Sequence, residues 1–155
     1  MILRVAIGWD HAGMDLANGL IREFQKVFWN YIRRTPSKDP INYPDAVPFV
    51  VQHVYRGGVG VLICGTGIGM SMAANRYPGI GAALCTDPLM AEMARAHNNA
   101  NILVLPGRLM SESVATACVS VFLNTPFEQG RHANRIAQFD PILAHSVSYD
   151  FPPAE

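Results

Sequence analysis

Apolar residues run along this chain in short blocks separated by polar, glycine-rich and proline-rich breaks, and the blocks alternate between two periods. Leu3 to Ile7 is a compact, largely apolar run ending at Gly8, the pattern of a buried strand. From Met14 to about Val27 the apolar positions Met14, Ala17, Leu20, Ile21 and Phe24 recur three and four apart, which predicts an amphipathic helix. Phe28 to Ile32 fits a second strand, and Thr35 to Pro40 a loop. Pro44 to Tyr55 predicts a helix that stops at Gly57-Gly58, followed by a buried strand from Val59 to Ile63. A helix from about Met70 to Arg76 ends before Pro78, and Ile80 to Leu84 returns to strand. Asp87-Pro88 opens the next helix, with Asp as cap and Pro at the first helical position. Asn101 to Leu105 is another strand. Ser111 caps a helix to about Leu123, whose apolar face is read as Val114, Ala117, Cys118 and Val121. Arg131 to Ile136 belongs to a shorter helix, and residues 141–155 read as a loosely held tail, above all from Val147 onward.

Strand and helix alternate throughout, without repeats or linkers. That rhythm predicts a single α/β domain over 1–155, a Rossmann-like three-layer sandwich around a central parallel sheet of about five strands. Ligands of such sheets bind at the carboxyl ends of the strands. Asp10, His11, Cys64 and Arg108 all follow predicted strands directly.

Composition narrows the function classes. Of 155 residues, 50% are apolar and 15% charged, which excludes a disordered chain. Lys plus Arg equals Asp plus Glu at 12 each, so no global charge recruits nucleic acid or an anionic membrane, and any anion site is local. No stretch reaches 18 apolar residues, so no transmembrane helix is expected, and the N-terminus lacks the layout of a signal peptide. Cys64, Cys85 and Cys118 are an odd, widely spaced set. They form neither a disulfide framework nor a zinc pattern, and they suit a reducing cytoplasm.

The strongest local feature is Cys64-Gly65-Thr66-Gly67-Ile68-Gly69, between a buried strand and a helix. Alternate glycines let the backbone turn sharply and present consecutive N–H groups, and a helix start adds positive potential, so this loop can hold an oxyanion or phosphate. The same field favours a thiolate at Cys64. Read alone, the segment is equally a tight strand-to-helix turn with an inert cysteine. Two rivals fail: a phosphatase-type cysteine loop needs an arginine six positions after the cysteine, where Met70 stands, and a P-loop needs a lysine that Gly69-Met70-Ser71 lacks. Asp10-His11 offers a hydroxyl acceptor and a proton carrier, or else a helix cap. His97-Asn98-Asn99 ends a helix, where a histidine also complements the dipole. Arg131 and Arg135 lie at i and i+4, able to grip a phosphate or to form a solvated basic face. Cys85 and Cys118 read as packing residues.

Together, Gly-Trp-Asp10-His11-Ala-Gly, Asn-Tyr43-Pro-Asp, Ile-Cys64-Gly-Thr-Gly-Ile-Gly, Ala-Ala-Asn75-Arg76, Ala-His97-Asn98-Asn-Ala-Asn101, Pro-Gly-Arg108 and Gly-Arg131-His-Ala-Asn-Arg135 resemble the type B ribose-5-phosphate isomerase family, which also holds the galactose-6-phosphate isomerase subunits. The resemblance spans about residues 3 to 140 and implies an aldose-ketose isomerase working through an enediolate, without metal or cofactor. It implies Cys64 as the base between C2 and C1, His97 in furanose opening, and Asp10 and Thr66 near the sugar oxygens. It further implies an oxyanion hole from Gly65, Thr66, Gly67, Ile68 and Gly69, and phosphate binding by His11, Arg108, Arg131 and Arg135. Tyr43 and Asn98 would touch the substrate's polar edge. Some members use a Glu on the following helix in place of the cysteine, and Ser71 and Met72 offer no carboxylate there. A homodimer or dimer of dimers with shared sites is implied as well. Two departures bear on substrate size: Phe28 to Arg34 is aromatic and basic where the family has an apolar strand, and Trp9 replaces a small residue next to the expected sugar site. A six-carbon aldose phosphate and a non-catalytic phosphosugar sensor remain as alternatives.

Overall fold

The computed structural model describes residues 5–25, 32–34 and 41–146. The strand expected at Phe28 to Ile32 lies outside these residues except for Ile32, and the loop Thr35 to Pro40 and the tail from Val147 lie outside them too. Five strands, β1 (Val5–Trp9), β2 (Ile32–Arg34), β3 (Val59–Cys64), β4 (Ala82–Leu84) and β5 (Ile102–Pro106), form one sheet in the order β2-β1-β3-β5-β4. Every neighbouring pair is parallel, with β2 a three-residue addition at one edge. The fold is α/β, as the alternation predicts.

Parallel strands need a crossover between them, and a helix is the compact way to make one. Helices α1 (Met14–Phe24), α4 (Pro88–Ala96) and α5 (Glu112–Asn124) cover one face; α2 (Val47–Tyr55) and α3 (Ile68–Ala74) cover the other. Side-chain period two decides which residue meets which layer. Val5, Ile7 and Trp9 of β1 and Val59, Val61 and Ile63 of β3 face α1 and α5, whereas Ala6, Leu62 and Cys64 face α2 and α3.

Local chemistry sets the helix ends. Asp87 accepts from the Met90 N–H at 3.0 Å and Ser111 from Val114 N–H at 3.3 Å, as read from sequence. The helix predicted from Pro44 divides into a 3-10 turn, Tyr43–Ala46, and α2. Pro48 has no N–H to donate, so the first turn tightens before α2 begins.

Three readings need correction. On α1, Met14 is exposed and Leu16 is buried in its place beside Ala17, Leu20, Ile21 and Phe24. The buried stripe of α5 is Ala115, Cys118, Val119, Phe122 and Leu123, while Val114, Ala117 and Val121 are only half-buried. Ser113, Thr116, Ser120 and Asn124 recur three and four apart on one polar stripe, and the broad apolar arc left over is buried on the side of Ala115 and Val119 rather than that of Val114 and Val121. Thirdly, residues 141–146 are not loose. Pro141–His145 forms α7, capped by Asp140, whose other oxygen accepts from the Gly79 N–H at 2.8 Å. Leu143 and Ala144 pack with Phe127 and with Ile136 of α6 (Arg131–Ile136) in a small satellite core.

Candidate active site

Three loops meet where β1, β3 and β5 end. Gly8 pairs with Leu62 and Trp9 with Ile63, and the ladder continues one step further through the Asp10 N–H to the Ile63 carbonyl at 3.3 Å. Asp10 and Cys64 therefore stand side by side on adjacent strands, both on the α2/α3 face. On the other flank Cys64 pairs with Pro106, and two further backbone bonds run past the strand ends: Gly107 N–H to Cys64 at 2.8 Å and Arg108 N–H to Gly65 at 3.0 Å. Close approach at Gly13 seals the third side, because a Cβ there would run into the Ile63 carbonyl oxygen.

Each loop is held from within. One carboxylate oxygen of Asp10 accepts the N–H groups of Ala12 at 2.9 Å and Gly13 at 3.1 Å, fixing the turn after β1. Thr66 Oγ1 accepts the Ile68 N–H at 3.3 Å. Gly67 has φ 77°, a left-handed conformation that side chains disfavour, and it lets the chain swing from β3 into α3. The first-turn N–H groups of α3 have no partners within the helix and crown this loop with donors. The loop faces outward at Thr66 and Ile68, whereas Cys64 is 5% exposed and packs with Leu62 and Met70.

Charged and aromatic groups surround the donors. The Arg108 side chain lies over Gly65, with Nη1 3.3 Å from where a Cβ would be. The Tyr43 ring occupies the space beside Gly69, its hydroxyl 2.9 Å from the equivalent point. His11 and Arg108 are exposed. Trp9 belongs elsewhere. It is 1% exposed in the core facing α1 and α5, on the opposite side of the sheet from Asp10 and Cys64, so it does not narrow this cleft as its place in the sequence suggests. Burial pushes the Cys85 thiol up to about 12 and the Cys118 thiol up to about 11, which keeps both neutral and agrees with packing roles.

The remaining candidates collect at the other end of the subunit. Helix α4 leaves the carboxyl edge of the sheet at Asp87 and runs back, so its cap residue His97 and the following Asn98 lie where β5 begins. Helix α5 runs back likewise and delivers α6, with exposed Arg131 and Arg135, to that same end. A bond from the Glu128 N–H to the Ala96 carbonyl at 2.9 Å ties the two regions together. The length of a five-residue strand, roughly 15 Å at about 3.3 Å per residue, separates this group from Cys64. One chain does not close both groups on a single small molecule.

Two residues at this end were not singled out as site residues from sequence. The His132 ring stacks on His97 with centroids 4.3 Å apart, and Glu128 lies within ion-pair distance of both. Glu128 lies before α6, with Gln129 and Gly130 at positive φ between, so its spacing from His132 by four positions is not a helical pair, and neither that contact nor the meeting with His97 was readable from sequence.

Comparison with known proteins places the chain among relatives of one family. Residues 5–139 match the ribose/galactose isomerase family. Ribose-5-phosphate isomerase B of Escherichia coli is 35% identical over 142 residues, covering 90% of this chain and 95% of its own. The crystal structure of a ribose 5-phosphate isomerase from Thermotoga maritima superposes with a TM-score of 0.86 at 46% identity, covering 91% of this chain and 99% of the other. Ribose-5-phosphate isomerase B from Mycoplasma genitalium, crystallised with bound ribulose-5-phosphate, gives a TM-score of 0.85 at 35% identity, covering 94% and 99% of the respective chains.

Proposed function

The chain belongs to the ribose/galactose isomerase family, and from that membership we propose that it interconverts ribose 5-phosphate and ribulose 5-phosphate through an enediolate. The observation that carries this reading is the setting of Cys64: on the strand next to the one that ends at Asp10, at the start of the Gly65–Gly69 loop, with Arg108 across Gly65.

Isomerisation moves one proton between neighbouring carbons and needs no redox partner. Cys64, as thiolate, takes the proton from C2 of the open-chain aldose; the C–H electron pair becomes the C1=C2 bond, and the carbonyl π pair moves onto the aldehyde oxygen. Donors of the Gly65–Gly69 loop and the start of α3 meet the oxygen where charge grows, so they act more strongly on the transition state than on the substrate. The thiol then returns the proton to C1 while the hydroxyl proton on O2 passes to O1, leaving the ketose. His97 assists opening of the furanose. His11, Arg108, Arg131 and Arg135 hold the phosphate, so that both carbons stay within reach of one base.

His97, Asn98, Arg131 and Arg135 reach this cleft in the proposal from a second copy of the chain, whose strand-start end covers the strand-finish end of the first. Exposed apolar residues around the cleft, Ile68 and Met72 on α3, Leu89 on α4 and Leu109 after β5, support that pairing. No helix among the described residues is long and apolar enough to cross a membrane.

Incubating the enzyme with ribose 5-phosphate in D₂O is the direct test. Ribulose 5-phosphate carrying deuterium at C1 is the expected product. Absence of turnover on ribose 5-phosphate, with turnover on a six-carbon aldose phosphate, would replace the substrate but keep the chemistry. Binding without any conversion would remove the enzyme reading.

Gly69→Ala probes the same cleft. The added Cβ displaces Tyr43, an exposed side chain with room to move, while alanine in a helix gains about 0.5–1 kcal/mol over glycine. Melting temperature is expected to hold or rise, and kcat/KM to fall about tenfold or more as the substrate shifts. Unchanged kinetics would separate Tyr43 from the site.

A further inference from the structure

His97 meets Glu128 and His132, two residues to which the reaction sketched above gives no part. The ligand atoms of all three lie within 4.8 Å of one another, close enough to suggest a metal. The ring planes argue otherwise. A metal bound to an imidazole nitrogen lies in the plane of that ring, and the two rings are stacked 8° from parallel with centroids 4.3 Å apart, so no point within bonding distance of both rings lies in both planes. Three candidate ligands, one of them the exposed Glu128, add nothing that would overcome this.

The same geometry suits the orientation of one histidine by two neighbours. Glu128 Oε2 stands 3.7 Å from His97 Nε2 and 3.4 Å from His132 Nε2. His132 is fixed, with its side chain 8% exposed, whereas that of His97 is 37% exposed. The Glu128 backbone is bonded to the carbonyl of Ala96, the residue next to His97, so carboxylate and ring share one anchor. A carboxylate facing one imidazole nitrogen favours the tautomer with its proton there, which leaves the other nitrogen as a base or, when protonated, an acid.

We infer that Glu128 and His132 are positioning residues for His97: the carboxylate holds the proton on Nε2, the stacked ring fixes the plane, and Nδ1 is left to act on the ring oxygen of a cyclic aldose. This rests on the proposed role of His97 in furanose opening and assigns the two residues to that step alone. They have no part in moving the proton between C2 and C1.

The two substrates separate these steps. Ribose 5-phosphate is chiefly cyclic and must open before it reacts. Ribulose 5-phosphate cannot close a five-membered ring because its O5 carries the phosphate, so its C1 proton exchanges with solvent through the enediolate without any ring chemistry. In Glu128→Gln, a substitution at an exposed side chain, kcat for ribose 5-phosphate is expected to fall about 10- to 100-fold. Deuterium exchange at C1 of ribulose 5-phosphate in D₂O should stay within about twofold of wild type, since a merely structural defect lowers both rates together. Nitrogen NMR of the His97 ring should show loss of the single Nε2–H tautomer in the variant. Unchanged turnover of ribose 5-phosphate, or a parallel fall in both rates, overturns the inference. If wild-type protein neither converts nor exchanges, the isomerase reading fails instead, and Cys64→Ala, which should lower both rates on the order of 10²- to 10⁴-fold, marks that boundary.

Discussion

Cys64→Ala is expected to lower kcat on ribose 5-phosphate by a factor on the order of 10² to 10⁴, the usual cost of losing an acid–base group, while the protein stays folded. The structure separates this from a packing effect. Cys64 is buried at the end of β3 among Leu62 and Met70, so truncation leaves a small void and costs on the order of 1 kcal/mol of stability. A loss of that size shifts the melting temperature by a few degrees and leaves a folded enzyme at assay temperature. Cys64→Ser is the sharper variant. It nearly keeps the shape and the Asp10 neighbour but replaces the thiol by a much weaker acid. Its kcat should fall nearly as far as that of the alanine variant, with KM little changed because the side chains proposed to hold the phosphate are untouched. A coupled spectrophotometric assay beside a thermal melt reads both quantities, and full activity in either variant would falsify the role of the sulfur.

Complementation between two inactive variants is the second large effect expected. Cys64→Ala disables the cleft at the strand ends, and His97→Ala the group at the far end of the subunit. If each site combines one cleft with the far end of a second copy, a mixed dimer has one site with both defects and one with none. Random mixing makes about half the dimers mixed, so about a quarter of wild-type activity should return. The variants are co-expressed or refolded together, and the recovered rate is compared with the sum of the two alone. Activity no greater than that sum would mean that the two groups never meet across chains.

Much of this site was legible before any coordinates. Strand ends are marked by the passage from apolar runs to Gly, Asp and Cys, and in a parallel sheet those ends share one edge, so Asp10, Cys64 and Arg108 could be grouped from pattern alone. Caps at Asp87 and Ser111 were readable because they depend on bonds within four residues. Trp9 was misplaced, although its period was available: in a strand the next residue faces the opposite layer, so a neighbour of Asp10 is the residue least able to share its cleft. The polar stripe of α5 was legible in Ser113, Thr116, Ser120 and Asn124, but its apolar arc is wider than the face that is buried, and packing against α1 and α4 selects which part of that arc goes inside.

The sequence by itself determined the strand and helix alternation, the glycine loop after Cys64 and the family, since all three are written in short-range spacing and residue type. Tertiary structure alone decided that Asp10 and Cys64 are side by side, that His97, Arg131 and Arg135 lie a strand's length away from them, and that Glu128 and His132 close on His97. Strand order and helix direction create those distances. Neither is encoded in any local stretch, because each depends on which buried surfaces the whole chain brings together.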